Sequence, residues 1–477
     1  MTRLVIMSNR VAAPNSRGSG GAQGGLAGAL LGALKSRGGL WFGWSGETAE
    51  APSNEPAVVT QDGATFATVD LSPEEIADYY EGYANSTLWP LFHDRLDLAE
   101  YERDTGIGYE AVNERFADCV SPMLRADDVV WVHDYHLIPM GDALRRRGFR
   151  NRIGFFLHIP WPPTRLLTSL PHHERLVRAL LAYDVVGFQS AEWLDSFQHY
   201  CAKELGASVG EDSGEIRIDG HCTVARSFPI GIDFDHFIGL GETGEARQTA
   251  QRLLSSTRRR TAMIGVDRLD YSKGLPERLD GISRFFERHP EQVNDLVFIQ
   301  IAPPSREDIE SYQQIRAVLE QKAGQINGAY SRIDLVPVRY VNQGLSAAEL
   351  FGAFRACKIG LVTPLRDGMN LVAKEYVAAQ DPEDPGVLIL SRFAGAAEQL
   401  TQALQVNPHS PDDIARNIAI ALEMPLDERK ARWQPMFECV RTQNLEVWTR
   451  TFLDALVSCG TPIAPSDINS PGSTSLS

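Results

Sequence analysis

Cysteine is sparse and unpatterned in this chain. Its six cysteines among 477 residues, Cys119, Cys201, Cys222, Cys357, Cys439 and Cys459, form no Cys-x-x-Cys pair. That scatter argues against a disulfide framework or a zinc ribbon. Basic residues are also short, with 46 Lys and Arg against 62 Asp and Glu and a formal net charge of −16. Such a surface repels nucleic acid and anionic membrane, so neither is an expected partner. No apolar run approaches the length that spans a bilayer. Met1-Thr-Arg-Leu-Val-Ile runs straight into a strand with no signal peptide, and the expected location is cytoplasmic. A Gly-x-Ser-x-Gly elbow, a Walker phosphate loop and a Ser-His-Asp order are missing from any fitting context, so hydrolase and kinase readings lack their central parts. His133 and His136 have a metal-like spacing, but no third ligand is evident nearby and no metal is expected.

What is present is a repeating alternation of strand-like runs and helical stretches, the pattern of α/β units with parallel sheets. At 477 residues the chain exceeds one ordinary core. In the first half the clearest strands are Leu4 to Ser8, Val129 to Val132, Ile153 to Leu157 and Val185 to Phe188, with helices around Tyr109 to Met123 and Arg175 to Ala182. The second half restarts at Thr261 to Val266 and continues through Leu296 to Ile301, Ile359 to Val362 and Val387 to Leu390. Between them, Pro229-Ile-Gly-Ile-Asp233 reads as the hinge. The expected domains are residues 1–230, residues 231–458 with a last helix crossing back to the first domain, and a disordered tail, 459–477. The Gly-rich stretch 15–25 suits either a mobile flap or a plain connector. Two doubly wound parallel sheets would bind ligands beyond the carboxyl ends of their strands.

The chemistry-bearing residues fall at those ends. Pro364-Leu-Arg-Asp-Gly-Met-Asn-Leu-Val-Ala-Lys-Glu375 passes from a strand through a Gly-containing turn into a helix reaching about Gln380. A helix that starts just beyond a strand directs unpaired N–H groups and a positive dipole end at an anion. Asp367 in the turn and Glu375 in the helix would suit sugar and ribose hydroxyls, although an ordinary capping Asp and surface Glu fit the same spacing. Arg268 and Lys273, after the strand ending at Val266, can bracket a diphosphate or can pair with Asp267 or Asp270. Asp134 and His158 follow strands and suit sugar hydroxyls. Tyr79-Tyr80 and Trp89-Pro90 form either a sugar platform or aromatic core. Arg10 and Arg306, each past a strand, could clamp a phosphate. Two dense basic runs, Arg145 to Arg147 with Arg150 and Arg152, and Arg258 to Arg260, read as solvated faces.

Taken together, Ser8-Asn-Arg10, Gly24-Gly-Leu26, Leu40-Trp-Phe-Gly-Trp-Ser-Gly46, Trp131-Val-His-Asp-Tyr-His136, Phe156-Leu-His-Ile-Pro160, Arg268-Leu-Asp-Tyr-Ser-Lys-Gly274 and Leu365 to Glu375 resemble the trehalose-6-phosphate synthases, glycosyltransferase family 20. The resemblance runs from about residue 2 to residue 455. It implies a GT-B fold, two Rossmann-like doubly wound domains with a cleft between them. It also implies retaining transfer of glucose from UDP-glucose, a co-substrate, to glucose 6-phosphate, with no cofactor required. By the same resemblance Arg10, Tyr80, Asp134 and Arg306 would hold glucose 6-phosphate. Gly24, Gly25, Arg268, Lys273, Leu345 and Leu371, Val372, Ala373, Lys374 and Glu375 would hold UDP-glucose. His158 and Asp367 would contact the transferred glucose, while Trp89 and Ile159 would select the acceptor anomer. Arg268 and Lys273 would stabilise the leaving phosphate, and a homo-oligomer, dimer or tetramer, is expected. A relative using ADP-glucose and glycerol 3-phosphate, and a non-catalytic sugar-phosphate sensor, are the competing readings.

Overall fold

The structure, a computed structural model, describes residues 2–11, 34, 38–210, 213–257, 260–304 and 310–459. The described residues up to Phe228, with Thr449 to Cys459, form one compact unit, and Pro229 to Trp448 form the other. Gly24, Gly25, Arg306, most of the stretch 15–37 and the tail from 460 lie outside the described residues.

The first unit is built on a ten-stranded sheet. Its strands are β1 Leu4–Arg10, β2 Gly39–Thr48, β3 Ala57–Gln61, β4 Ala64–Leu71, β5 Val129–His133, β6 Arg152–Phe156, β7 Val185–Phe188, β8 Ser208–Val209, β9 Glu215–Ile218 and β10 His221–Ser227. They lie in the order β3-β4-β2-β1-β5-β6-β7-β10-β9-β8. The run from β4 to β10 is parallel, and antiparallel β3 and the β9–β8 pair close the two edges. Among the described residues the second unit holds six strands, β11 Thr261–Val266, β12 Leu296–Ile301, β13 Val338–Val341, β14 Ile359–Val362, β15 Val387–Ser391 and β16 Leu404–Val406. All are parallel, in the order β13-β12-β11-β14-β15-β16. The central strands are largely apolar and mostly buried, with β1 turning polar at Ser8-Asn9-Arg10 and β12 carrying Gln300, as suits strands covered by helices on both faces.

Numbered within each unit, the parallel strands of both sheets begin with the doubly wound order 3-2-1-4-5-6. In such a sheet the chain leaves neighbouring strands in opposite directions at one point, which opens a crevice at their carboxyl ends. That point lies between β1 and β5 in the first unit and between β11 and β14 in the second.

Two features depart from expectation. Ile76–Leu88 forms a π-helix running on into the short α-helix Trp89–Phe92. Arg145 is no solvated residue: its guanidinium donates to the Asp184 carboxylate (2.8 Å) and to the carbonyls of Phe149 (3.1 Å) and Asn151 (2.8 Å). Asp184, buried at the start of β7, requires a cation there.

The last helix, Leu445–Ser458, starts among residues of the second unit and ends within the first. There Phe452 stacks on Trp131 (4.6 Å between ring centroids, 11°) and meets Phe156 and Phe228 edge-on. Gly154 on β6 and Gly187 on β7 make room for it, since a Cβ would come 2.8 Å from the Phe452 ring at the first position and 2.9 Å at the second. Among the described residues no helix is long and apolar enough to cross a membrane.

Candidate active site

At the switch point of the second unit, buried Asp267 and exposed Arg268 stand just past the end of β11, and a 3-10 turn, Tyr271–Lys273, follows. Asp270 caps that turn by accepting from the Ser272 N–H (2.9 Å). Lys273 Nζ reaches across to Asp367 Oδ2 at 2.5 Å, in the turn after β14. Asp367 is fixed through its backbone: its N–H donates to Phe393 O (3.1 Å), and its carbonyl accepts from the Gly395 N–H (3.1 Å). Asn370, in left-handed conformation at φ +73°, caps the helix Leu371–Ala379 by accepting from the Ala373 N–H (3.2 Å) and donates to Asp367 Oδ2 (3.1 Å). At the far end of the helix the Arg355 guanidinium donates to Ala379 O. A cation there reinforces the dipole whose positive end emerges at Leu371. Arg268 makes no ion pair among the described residues, so this strand tip presents an uncommitted cation beside a helix start.

Two adjacent helix residues face apart. Lys374 is buried, and its ammonium donates to Ile230 O and Gln399 Oε1, both at 2.6 Å; burial lowers its pKa to about 7. Only its backbone is left for a ligand. Glu375 makes no side-chain hydrogen bond among the described residues, and burial raises its carboxyl to about 7. Leu345 is half-buried, next to Ser346, which starts the helix Ala347–Ala356 with a capping box to Glu349.

The first unit presents rings. Arg10 ends β1 with its guanidinium 4.5 Å from the centre of the Trp44 ring. Trp44 meets Tyr80 edge-on (5.5 Å), and Tyr80 stacks on His136 (5.9 Å, 14°). Tyr80 stands on the π-helix, which Tyr79 ties to the tip of β1 by donating to Asn9 Oδ1 (2.9 Å). Asp134, directly after β5, has φ +74° and ψ 165°, a region nearly restricted to glycine. Its amide donates to Phe156 O (2.8 Å), and its carboxylate accepts from the His158 N–H (3.2 Å). His133 Nδ1 and His158 Nε2 share a hydrogen bond of 3.1 Å. Burial, then the neighbouring ring, pushes the His133 pKa down, and burial lowers that of His158 to about 3, so both imidazoles are neutral near pH 7. Trp89 and Ile159 are buried. Trp89 packs on His93 and Tyr135 and is core, not platform.

The sequence-predicted residues thus fall into two groups. Lys273 and Asp367 touch, and Arg268 with the helix from Leu371 to Glu375 belongs to the same switch point; Arg10, Tyr80, Asp134 and His158 gather at the other. Sequence reasoning weighed His136 only for a metal, where it stacks on Tyr80, and it singled out neither Trp44 nor Arg278, the last fully buried against the tips of β11 and β14. The paired aromatics of Leu40 to Gly46 were the available signal for Trp44. Among the described residues no group of three or more His, Cys, Asp or Glu could hold a metal ion.

Doubly wound units with ligand-ready strand tips define a two-unit α/β protein of the nucleotide-binding type. Residues 3–458 match glycosyltransferase family 20, and the chain belongs to that family. It is 45% identical over 460 residues to a trehalose-6-phosphate synthase of Sinorhizobium fredii, covering 96% of this chain and 99% of that one. Among solved structures it resembles an alpha,alpha-trehalose-phosphate synthase (UDP-forming) from Burkholderia xenovorans in complex with glucose-6-phosphate, at TM-score 0.91 and 45% identity, with 96% and 100% of the chains covered. It also resembles an E. coli chain bound with UDP-2-fluoro glucose, at TM-score 0.90 and 41% identity over 96% and 99%.

Proposed function

We propose that this chain moves glucose from UDP-glucose to glucose 6-phosphate with retention, yielding α,α-trehalose 6-phosphate and UDP. The family and its full-length relatives support the activity. The observation that carries it within the molecule is the second switch point, where Arg268, the Lys273–Asp367 pair and the helix start at Leu371 converge. Arg268, Lys273 and the backbone from Leu371 to Glu375 bind the donor diphosphate, and the Glu375 carboxylate takes the ribose hydroxyls. Leu345 meets the base through its backbone, and Gly24 and Gly25 complete the donor site. Arg10, Tyr80, Asp134 and Arg306 hold glucose 6-phosphate, with the arginines on its phosphate. His158 and Asp367 hold the transferred sugar. Trp89 and Ile159, both buried, shape anomer choice.

The acceptor's 1-hydroxyl attacks the anomeric carbon on the face from which UDP departs. The carbon–phosphate oxygen bond breaks as the new glycosidic bond forms, and the leaving phosphate takes the hydroxyl proton. Lys273 and Arg268 stabilise the charge growing there, the kind of preorganised electrostatics that dominates many catalysed reactions. No covalent nucleophile and no cofactor take part.

We also place the chain in the cytoplasm, in keeping with six free cysteines, and as a homo-oligomer, for which light scattering is the direct measurement. The activity is tested by incubating the full chain with UDP-, ADP- or GDP-glucose and glucose 6-phosphate or glycerol 3-phosphate. UDP and trehalose 6-phosphate from the first of each are expected. Product from ADP-glucose and glycerol 3-phosphate alone, or binding without turnover, would replace this reading.

A further inference from the structure

We infer that Arg278 is a positioning residue for the donor, tying the tip of β11 to the tip of β14 and so fixing where Lys273 and Asp367 stand when the diphosphate arrives. The inference rests on the donor reading above. Arg278 lies in the first turns of the helix Leu275–Arg288, just beyond Lys273 and Gly274, and is fully buried. Its Nε donates to Thr363 Oγ1 (2.9 Å), Nη1 to Gln300 Oε1 (3.0 Å), and Nη2 to Asp267 Oδ2 (2.7 Å) and Lys273 O (3.4 Å). Asp267 is the first residue past β11, Thr363 the first past β14, and Gln300 belongs to β12. One planar group therefore touches three neighbouring strands and the backbone of the lysine that meets the diphosphate.

The strands are built around it. Gln300 passes the network on, donating through Nε2 to Gly265 O (3.2 Å) and Ile301 O (3.1 Å). A Cβ on Gly265 would come 2.5 Å from Arg278 Nη1 and 3.0 Å from Gln300 Oε1, so β11 forgoes a side chain in its interior to house the guanidinium. Stability alone is a poor reason for such an arrangement, since well-packed apolar residues commonly do as well as a buried ion pair. Holding two strand ends at a set separation is what a charged binding site requires of the residues behind it. Arginine suits the task because its donors lie in a fixed plane; a lysine would meet only part of the set.

Four variants of the full chain test this. Arg278→Lys and Arg278→Met remove the fork. Thr363→Val and Gly265→Ala disturb it while leaving Arg268, Lys273 and Asp367 in place. The UDP Kd is read by calorimetry, and KM is read separately for UDP-glucose and glucose 6-phosphate. Losing charge-assisted hydrogen bonds should raise UDP Kd and donor KM about tenfold in the Arg278 variants and about threefold in Thr363→Val, with acceptor KM moved by less than about twofold. Should the Arg278 variants fail to fold, Thr363→Val and Gly265→Ala decide. Unchanged UDP affinity in those two, or both KM values rising together, overturns the inference. A wild-type chain that binds UDP yet forms no product overturns the function instead, and the UDP measurements still judge Arg278.

Discussion

Among the described residues, the strand tips at the switch point of the first sheet present rings and two neutral imidazoles beside Arg10 and Asp134; at that of the second they present Lys273 paired with Asp367 and Arg268 with no ion pair. Both sheets share a strand order, so topology accounts for where each ligand set lies but not for which ligand it takes. In the proposed assignment that choice falls to a few residues just past the strands. Flat faces and uncharged donors and acceptors suit a sugar ring with its hydroxyls. Cations on short, backbone-locked loops suit a diphosphate.

Breaking the charged half should have the largest effect. Lys273→Ala is expected to cost about 3 kcal/mol of transition-state stabilisation, or 10²–10³ in kcat, and unaltered turnover in a UDP-release assay would remove Lys273 from its assigned role.

The ring-lined half is sharpened by Asp134→Gly. Glycine accepts φ +74° without strain, and a backbone held in this region costs on the order of 1–3 kcal/mol. The variant should melt no lower than the parent while its KM for glucose 6-phosphate rises by about tenfold, the loss expected for a hydrogen bond to a charged group. A lower melting temperature with intact acceptor affinity would mean that the strain serves packing instead.

The smallest effect concerns pH. Burial raises the Glu375 carboxyl to about 7, so the folded chain holds a proton there that the unfolded chain releases near the ordinary value of 4.5. Stability from this group is therefore lost as pH rises from 4.5 through about 7. UDP should bind more tightly over the upper part of that range, because the ionised carboxylate is the better acceptor for ribose hydroxyls. Glu375→Gln should flatten both trends, measured by thermal melts and calorimetry from pH 5 to 8. A profile that keeps its slope would remove Glu375 as its source, since Lys374, lowered from 10.5 to about 7 in the folded chain, contributes stability that rises with pH above 7.

Much of this was legible in the sequence because buried parallel strands are continuous apolar runs. Val185–Phe188, Thr261–Val266, Leu296–Ile301 and Ile359–Val362 lie where their residues place them. The missed strands lack that signal. β10, His-Cys-Thr-Val-Ala-Arg-Ser, is half polar near the sheet edge, β3 is exposed throughout, and the apolar run of β2 is interrupted by Gly43, Ser45 and Gly46. The π-helix escaped because Ile76 to Leu88 carries no pattern separating a five-residue hydrogen-bond step from the usual four. The candidate site was legible as strand ends, and its charged pair was not. Lys273 and Asp367 lie 94 positions apart, so the sequence offered Lys273 only its near neighbours Asp267 and Asp270. Asp267 instead faces Arg278, which looks on paper like any polar residue of an amphipathic helix.

The seat of Phe452 on β6 and β7 has a consequence for how the polypeptide comes into being. A ribosome delivers Trp131, Gly154 and Gly187 long before the ring that covers them, and by then all of Pro229 to Trp448 has emerged. The amino-terminal half must wait, its floor open, while the later half is made. Ending translation before Phe452 would leave the earlier-made half unfinished, even though the missing piece is one of the last made.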